Sequence, residues 1–565
     1  MSLFSSLYVG TSGLQSSQEG LNVVAHNVTN TDTKGYVRQQ VSYATRQYNF
    51  LSKNITGVAQ KQIGLGVYIS EVRQVRDRFL DLSYREEAGR QGFYDVSYAA
   101  VEEVEGILGE LHDATFSNAF KNLMYSIEEM AKDPSSEVNQ GLFIQYSQNF
   151  AEAARNAYSD LCDYQDKLNY TVTQKVDRIN QLGRTIYEMN NKIRAIEAGG
   201  IEHANDYRDA RNQAMDELAS ICKIEYDTDV HGNVLVKVEG HDFVRPNEVN
   251  EMAYDADLTT GFYTCFWPDS AETEMLPDGT KRYVASTAPV FDLTTEISAL
   301  RHTDIGSLKA TLLARGDHRA NQWDLKDEDA YDKVSNSIMM NVMAEFDKLV
   351  HSVVTTINDV IASGADTQTG YLCQIQGYNE NNRPIYVPLQ IFQRIDCMDE
   401  YTYAPTDPNA RNGYIVTPED PKDPATWFSI DNLMVNKDLQ QYPAHLGMIR
   451  PDESVDHVTM KNLLERINQK DFVLNPTLTN PISIAEYYSN FIGQISNSGN
   501  VFMKLKENQD LTVESVEAAR QGAIGVATDE ELTNMIKFQN AYNASSRFIN
   551  VIDECMEHVI MQLGS

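Results

Sequence analysis

Apolar residues recur at seven-residue spacing near both ends of the chain. The first series contains Leu7, Leu14, Leu21 and Val28, with Val24 in the neighbouring row. The second series advances by three, four or seven positions and contains Met535, Phe538, Tyr542, Ile549, Ile552, Met556, Val559 and Leu563. A seven-residue repeat keeps a narrow apolar seam on one face of a helix, and a single partner helix can bury that seam. We therefore expect the N- and C-terminal helices to pair as a coiled coil.

Two internal tracts also carry helical periodicity. One covers residues 143–196 and stops at Gly199-Gly200, and the other covers residues 332–363. Neither tract contains proline, which breaks helix interiors. At 1.5 Å per residue the first helix would be about 80 Å long. The sequence therefore predicts an elongated element in the middle of the chain.

Between the helical tracts the apolar period changes. Val234, Val236 and Val238 occupy alternate positions after the turn-like segment His231-Gly232-Asn233, which predicts a β-hairpin. We expect residues 220–304 to be β-rich. Residues 366–482 hold most of the prolines together with polar clusters, which predicts a mixed, loop-rich region.

These patterns predict a multidomain α+β protein that is discontinuous and elongated. The helical domains would be built from segments that are distant in sequence, with irregular domains inserted between them. The predicted domains are a terminal coiled-coil domain of residues 1–50 with 525–565, a long-helix bundle domain of residues 70–215 with 305–365 and 483–524, a β-rich domain of residues 216–304, and a mixed outer insertion of residues 366–482.

The overall charge restricts the possible partners. Lys and Arg total 47 against 81 Asp and Glu, which gives a formal net charge of -34. Because so acidic a surface repels phosphates and anionic lipid, we expect no nucleic acid and no membrane among the partners. No Lys or Arg precedes Lys34 and no small-residue cleavage site is obvious, so a cleaved secretory signal peptide is not expected.

Candidate chemistry is sparse. The six cysteines are scattered, without a CxxC pair or zinc-like spacing. Asp227, Asp229 and His231 resemble the start of a calcium loop, but Val238 stands where a bidentate Glu is needed, so we interpret the segment as a hairpin turn. Nucleotide-binding, zinc-protease and serine-hydrolase motifs do not occur. We therefore predict no catalytic, metal-binding or cofactor-binding residues, and no cofactor.

The residues that leave the first helix carry a more specific signal. Asn27, Asn30, Thr33, Gly35 and Tyr36 fit the pattern Asn-x-x-Asn-x-x-Thr-x-Gly-Tyr. This pattern resembles the N-terminal signature of the flagellar rod, hook and hook-associated protein family. It also suits a helix exit, because Asn and Thr compete for backbone groups and glycine can adopt the left-handed conformation that often ends a helix.

Two further segments resemble the hook-associated members of this family. Residues 525–532 and 538–547 are similar to their C-terminus. Residues 176–193, followed by residues 205–211, are similar to their central region, which hook and rod proteins would not be expected to carry. The chain departs from the pattern at Asp206-Tyr-Arg-Asp209, where a leucine-rich stretch is more usual.

The resemblance implies a structural function. The terminal helices would form the inner tube of the flagellum, so the residues of the two apolar series would be an assembly interface. The implied partners are other copies of the chain, the hook protein, a second junction protein between hook and filament, and an export chaperone that binds the C-terminal helix. The implied location is extracellular, at the hook–filament junction, after type III export with an uncleaved N-terminus.

Periodicity alone leaves other interpretations open. Apolar heptads also occur in ordinary protein cores. Within the same family, a hook or distal rod protein would polymerise into long tubes. An enzyme, for instance a flagellum-associated hydrolase carried on a coiled-coil scaffold, would need an acid–base pair in a cleft of residues 220–304 or 366–482.

Overall fold

A computed structural model describes residues 3–46, 49–50, 62–109, 115–199, 203–230, 232–275, 281–397, 400–407 and 410–563. The α-helices are α1 (Leu3–Thr29), α2 (Arg78–Leu108), α3 (Thr115–Lys132), α4 (Glu137–Glu197), α5 (Asn205–Ile221), α6 (Ser307–Arg315), α7 (Glu328–Val334), α8 (Ile338–Gly364), α9 (Lys437–Gln441), α10 (His457–Asn468), α11 (Ile484–Ile524) and α12 (Thr528–Leu563).

The strands are short and pair in antiparallel ribbons, apart from the three-stranded sheet β5-β6-β7. They are β1 (Gln39–Thr45), β2 (Asn49–Phe50), β3 (Gln62–Ile63), β4 (Val67–Gln74), β5 (Ile224–Thr228), β6 (Val234–Val238), β7 (His241–Val244), β8 (Ala253–Ala256), β9 (Tyr263–Phe266), β10 (Thr273–Met275), β11 (Lys281–Tyr283), β12 (Cys373–Tyr378), β13 (Pro384–Pro388), β14 (Phe392–Arg394), β15 (Tyr401–Tyr403), β16 (Tyr414–Val416) and β17 (Leu433–Val435).

The N- and C-terminal helices meet in the structure. α1 packs along α12, and the ribbon formed by β1 and β4 lies against α1. The ribbon runs from the pair Gln39↔Gln74 to the pair Thr45↔Val67. Helices from opposite ends of the chain thus form one substructure, although the coiled-coil geometry predicted for them stays a prediction.

The long central helix is confirmed. α4 contains 61 residues and begins at Glu137, where the hydroxyl of Ser136 accepts a hydrogen bond of 3.4 Å from the N–H of Asn139. At 1.5 Å per residue its length is about 90 Å. The helix ends at Glu197; Gly200 of the predicted stop lies outside the described residues.

Two apolar cores share this helix. Its first half, from Phe143 to Leu168, packs with α3, α8, α11 and side chains of residues 371–474. Its second half, from Val172 to Ile186, packs with α5 and the β5-β6-β7 sheet. Residues of α8 and residues 371–474 contribute to one common core. The domain boundaries drawn from the sequence stay predictions.

The helix predicted over residues 332–363 is interrupted, and the prediction was wrong at this point. α7 ends at Val334 and α8 begins at Ile338. Between them, the Ser337 hydroxyl accepts the N–H of Met340 at 3.3 Å and donates to the carbonyl of Ala314 at 3.3 Å. Ser337 caps a new helix, while Val334 before it and Ile338 after it both remain packed against apolar cores. The apolar periodicity of the sequence therefore continues across a break between two helices.

The predicted hairpin is confirmed, since β5 and β6 pair from Ile224↔Val238 to Thr228↔Val234. His231 of its turn lies outside the described residues. The region of residues 220–304 carries strands β5 to β11, and residues 366–482 mix strands β12 to β17 with α9 and α10. The predicted α+β class is therefore confirmed.

Candidate functional site: the terminal helix pair and its joint

Glycines allow α1 and α12 to approach closely. A Cβ atom at Gly10 would lie 2.8 Å from Cγ1 of Ile549. A Cβ atom at Gly20 would lie 3.1 Å from the ring of Phe538 and 2.8 Å from the Tyr43 hydroxyl. Glycine weakens an isolated helix by about 1 kcal/mol relative to alanine, so its use here is explained by the packing of the two helices.

The predicted seam residues line this contact at intermediate depth. Ile552 is buried, Val559 is exposed, and the side chain of Leu563 lies outside the described residues. The other nine seam residues are half-buried: Leu7, Leu14, Leu21, Val28, Met535, Phe538, Tyr542, Ile549 and Met556. A deeper row on α1 consists of Gly10, Ser17, Gly20, Val24 and Asn27. Sequence reasoning missed most of this row because glycine and serine give no apolar signal; its helical spacing was the only available sign.

The β1–β4 ribbon covers another side of α1. The N–H of Val67 donates to the buried Ser12 hydroxyl at 3.3 Å, and that hydroxyl donates to the carbonyl of Val9 at 2.8 Å. Gly66 has a φ of +93°, and a Cβ atom there would overlap the Ser12 oxygen. Both the backbone conformation and the available space therefore require glycine at the start of β4.

Asn27 joins the end of α1 to β1. Its side chain is buried, and its Oδ1 accepts the N–H of Gln39 at 3.0 Å and the hydroxyl of Tyr36 at 2.8 Å. Its Nδ2 donates to the carbonyl of Gln39 at 2.9 Å and to Glu531 of α12 at 3.2 Å. One amide side chain thus connects the helix end, the first strand and the C-terminal helix.

The other signature residues shape the turn itself. Asn30 donates to the carbonyl of His26 at 2.9 Å, and Thr33 donates to Asn30 at 3.1 Å. Gly35 has a φ of +82°, as expected for the left-handed residue of the turn. Burial and the nearby carboxylates, chiefly Asp209, raise the pKa of Tyr36 well above its usual value, so its hydroxyl stays a donor.

Arg38 connects the turn to the start of α12. Its Nε donates to Glu531 at 2.8 Å and it forms a second ion pair with Glu530 at 3.0 Å. The Glu531 side chain is only 2% exposed, so this pair is shielded from solvent. The backbone N–H of Arg38 donates to the carbonyl of Ile524, the last residue of α11, at 2.9 Å. Arg38 therefore fixes the position of the junction between α11 and α12.

Asp209 connects the same turn to α5. Its carboxylate accepts the N–H of Val37 at 3.3 Å and the amide of Gln74 at 2.7 Å. Gln74 also donates to the carbonyl of Asn205 at 3.0 Å. Burial raises the pKa of Asp209 to about 7, even though its hydrogen bonds act in the opposite direction.

A buried network of alternating charges lies beneath the turn. Arg520 of α11 donates to Asp81 of α2 at 2.8 Å and to Asp216 of α5 at 2.6 Å. Arg76 donates twice to Asp81 at 2.9 Å, and Arg85 donates to Asp216 at 2.7 Å. Burial disfavours the charge on Asp81, but the arginines outweigh it and lower the pKa of that carboxyl. The network holds three helices together where the terminal pair joins the body.

A cleft of about 840 Å³ opens between the signature turn and the body. It is lined by residues 31–36 of the turn, by side chains of α2 and α5, and by residues 520–527, which join α11 to α12. The turn that ends α1 and the junction between α11 and α12 therefore both form walls of this cleft.

The paired helices leave apolar side chains in solvent. Phe4 and Tyr8 of α1 are 67% and 63% exposed, and Ile536, Val551 and Ile560 of α12 are 59%, 54% and 72% exposed. The exposed apolar residues of α12 also include Leu532, Phe548, Val559 and Met561. Large exposed apolar surfaces on a folded protein mark sites of interaction.

Two histidine clusters in the described part of the body lack the geometry of a Ser-His-Asp relay. In the β-rich region, Nε2 of His241 lies 3.2 Å from the Ser270 hydroxyl and 3.4 Å from Asp269, while its Nδ1 faces the amide of Asn250. A hydrolase relay instead needs the carboxylate at Nδ1, opposite the nucleophile. His318 is also unsuited to act as a general base. Its hydrogen bonds to two aspartates raise its pKa to about 10 and keep it protonated.

Two further features concern metal binding and membrane crossing in the described part of the chain. There, no three His, Cys, Asp or Glu side chains are grouped so that they could hold a metal ion. The helices that the structure describes include none whose length and apolarity would allow it to cross a bilayer.

Comparisons with known proteins identify relatives. A family model described as the flagellar hook-associated protein FlgK helical domain matches residues 101–372, and one described as the flagellar basal body rod FlgEFG protein C-terminal matches residues 520–563. Flagellar hook-associated protein 1 of Bacillus subtilis (strain 168) is 25% identical over 100% of this chain and 99% of its own length. Its namesake in Salmonella typhimurium is 23% identical over 43% of each chain.

This chain is also similar to the solved structure of the flagellar hook junction protein FlgK from Burkholderia pseudomallei, with a TM-score of 0.48 and 12% sequence identity. The match covers 78% of this chain and 99% of the Burkholderia chain. The first family model spans α4, and the second spans α12. The Bacillus alignment extends over both chains almost completely. The chain therefore belongs to the flagellar hook-associated protein 1 family.

Proposed function

We propose that this chain is a structural protein of the hook–filament junction and that it assembles with copies of itself through α1 and α12. The curated relatives are structural flagellar proteins, and the helical-domain model matches residues 101–372. The C-terminal model, which is named for rod proteins, matches α12. This helix is therefore the part of the chain with the widest flagellar relationship.

The observation that carries the proposal is the apolar surface that the helix pair leaves in solvent. In this proposal the seam residues hold α1 to α12, and exposed residues such as Tyr8, Ile536 and Val551 bind neighbouring copies. Burying apolar surface contributes about 25 cal/mol per Å², so several such side chains per subunit can stabilise a layer of subunits. The joint around Asn27 then fixes how each body is placed relative to that layer.

The further partners follow the family. On one side of the layer the chain would bind the hook protein, and on the other a second junction protein. Before assembly, an export chaperone would cover the exposed apolar face of α12. The location would be extracellular, after type III export. Protection of Ile536 and Val551 by a chaperone is consistent with their exposure, because such residues promote aggregation in a free subunit.

Charge placed on the exposed face tests the proposal. Ile536→Asp and Val551→Asp should leave the melting temperature of the monomer unchanged, since both side chains are more than half exposed. Assembly should fail, because each variant buries a carboxylate between apolar surfaces. Asn149→Asp adds the same charge at an exposed polar position of α4, away from the terminal helix pair, and serves as the control.

The readout is electron microscopy of flagella from cells that carry each variant, together with sedimentation of the purified chains. We expect hooks without filaments for Ile536→Asp and attached filaments for Asn149→Asp. Normal filament numbers with both Ile536→Asp and Val551→Asp would refute the role given to this face.

The same preparations distinguish the alternatives. A junction protein forms a limited layer, whereas a hook or distal rod protein forms long tubes. A hydrolase would lose its effect when one histidine or carboxylate of the body is changed, for example in His241→Ala, and a structural subunit would not.

A further inference from the structure

A buried lysine of α6 has no partner among the residues that the structure describes. Lys309 is 7% exposed, and within the described residues its ammonium makes no hydrogen bond and no ion pair. The ammonium is not sealed off, because the lysine lines a pocket of about 610 Å³. Since the ammonium faces this pocket, a partner from outside the chain would reach it there.

A second lysine against the same helix shows the usual solution. Nζ of Lys175 donates to the carbonyl of Ser307 at 2.9 Å and to the Thr311 hydroxyl at 2.9 Å. The fold thus supplies oxygen acceptors to Lys175 and none to Lys309.

The two carboxylates that line the pocket are engaged elsewhere. Asp292 accepts the N–H and the hydroxyl of Thr294 at 2.9 and 2.6 Å. Glu239 accepts the N–H of Lys223 at 3.1 Å. Neither carboxylate forms an ion pair with Lys309, although both lie within electrostatic range of it.

Cationic side chains outnumber carboxylates in the lining of the pocket, although Arg301 also pairs with Glu296 at 3.5 Å. Lys223 and Arg301 line it together with Lys309, and Val290 and Phe291 form an apolar part of the wall. Burial lowers the pKa of Lys309, and a bound anion would reverse that effect by stabilising the ammonium. Lysines that converge on a partly apolar pocket are suited to a carboxylate carried on a short side chain.

We propose that this pocket binds a carboxylate, and that an acidic side chain on a second copy of the chain supplies it. The composition favours this source, because each copy carries 81 acidic residues against 47 basic ones and presents carboxylates in excess to its neighbours. This inference rests on the self-assembly proposed above. A free dicarboxylate is the other source of the same chemistry, and the two sources can be separated.

The first experiment uses the full chain as a monomer. Succinate is titrated at constant ionic strength, and binding is followed by the chemical shifts of the lysine side chains. Lys309→Met should weaken binding at least about tenfold, the effect of losing one charge-assisted hydrogen bond. Lys237→Met removes an exposed lysine of β6 and should leave binding unchanged. Lys223→Met provides a second pocket variant if Lys309→Met does not fold.

The second experiment locates the natural source. Assemblies are grown from a mixture of unlabelled and 15N-labelled chains and treated with a carbodiimide, which joins a carboxylate to a nearby amine as an amide. The proposal expects mass spectrometry to find Lys309 linked to a carboxylate of another copy, with mixed isotope pairs. Lys237 should show no such link.

Each outcome is decisive. If succinate does not bind the wild-type monomer and no inter-chain link to Lys309 forms, the pocket is refuted. If succinate binds and Lys309 forms no link to another copy in the assembly, the pocket serves a free anion and the neighbour as source is refuted. If no assembly forms at all, self-assembly and the neighbour as source both fail, while the succinate titration still decides whether the pocket binds anions.

Discussion

Asn27→Ala should loosen the joint between the terminal helices and the body. The substitution removes the acceptor of the Gln39 N–H and of the Tyr36 hydroxyl, and the donor to the Gln39 carbonyl. Glu531 also loses its bond to the amide but keeps Arg38. Alanine is otherwise favourable in a helix, so the change isolates the polar contacts from helix propensity.

The magnitude follows from what stays behind. Each buried polar group that loses its partner costs about 1–3 kcal/mol. Water can reach the half-buried Tyr36, whereas both backbone groups of the buried Gln39 remain poorly solvated. We therefore expect a loss of about 3 kcal/mol, which corresponds to about a hundredfold increase in the open form of the joint. Asn30→Ala is the matched control, because its bonds lie at the surface and its cost should stay within about 0.5 kcal/mol.

Hydrogen exchange measured by mass spectrometry reports the joint directly. In Asn27→Ala, amides of β1 and of the first turns of α12 should exchange faster, while those in the buried middle of α4 keep the wild-type rate. Equal effects of Asn27→Ala and Asn30→Ala would refute the assignment of Asn27 as the connecting residue. Faster exchange throughout α4 would instead mean that the substitution unfolds the whole body.

Three other perturbations test the packing and the charges. Gly20→Val forces a branched side chain against Phe538 and should destabilise the helix pair by about 1–3 kcal/mol in thermal unfolding. Gly141 of α4 faces open space, so Gly141→Ala should instead stabilise the protein by up to about 1 kcal/mol. The reverse order of the two stabilities would contradict the close contact of Gly20 with Phe538. Folding raises the pKa of Asp209 from 3.8 to about 7, so the folded state binds more protons and the free energy of unfolding should fall as the pH rises through that range. In denaturant titrations at several pH values, Asp209→Asn should flatten the dependence of this free energy on pH. An unchanged pH dependence would exclude Asp209 as its cause. Arg520→Met leaves the buried carboxylate of Asp81 and the half-buried carboxylate of Asp216 with fewer partners and should cost about 3 kcal/mol; an unchanged melting temperature would show that Arg520 is dispensable.

The parts of the fold that the sequence predicts well are those with a local period. α4 follows from apolar residues at helical spacing, and the β5–β6 hairpin follows from alternating valines. Where a cap interrupts a continuous stripe, as at Ser337, periodicity misleads because both helices present apolar residues to the same core. Local patterns therefore predict the elements, while the breaks between them depend on single hydrogen bonds.

The site was predictable only in part. The signature turn could be located from its pattern, but its partners could not, since Asn27 and Glu531 are separated by 504 positions. The deepest row of α1 consists largely of glycine and serine, whose role appears only when α12 and Tyr43 are placed beside them. A local sequence pattern does not predict small residues that allow close helix packing, nor hydrogen bonds between residues that are distant in sequence.

The segment Asp206-Tyr-Arg-Asp209 gains a physical explanation from this geometry. From the resemblance we expect a leucine-rich stretch here, whereas two carboxylates of this segment face the signature turn. Asp209 accepts the N–H of Val37, and Asp206 lies 3.8 Å from the ring of His26. A leucine at Asp209 would leave the Val37 N–H and the Gln74 amide without this acceptor. The departure therefore replaces apolar contact by hydrogen bonds to the turn. Because burial raises the pKa of Asp209 to about 7, we expect the attachment of the terminal helices to weaken as the pH rises through neutrality.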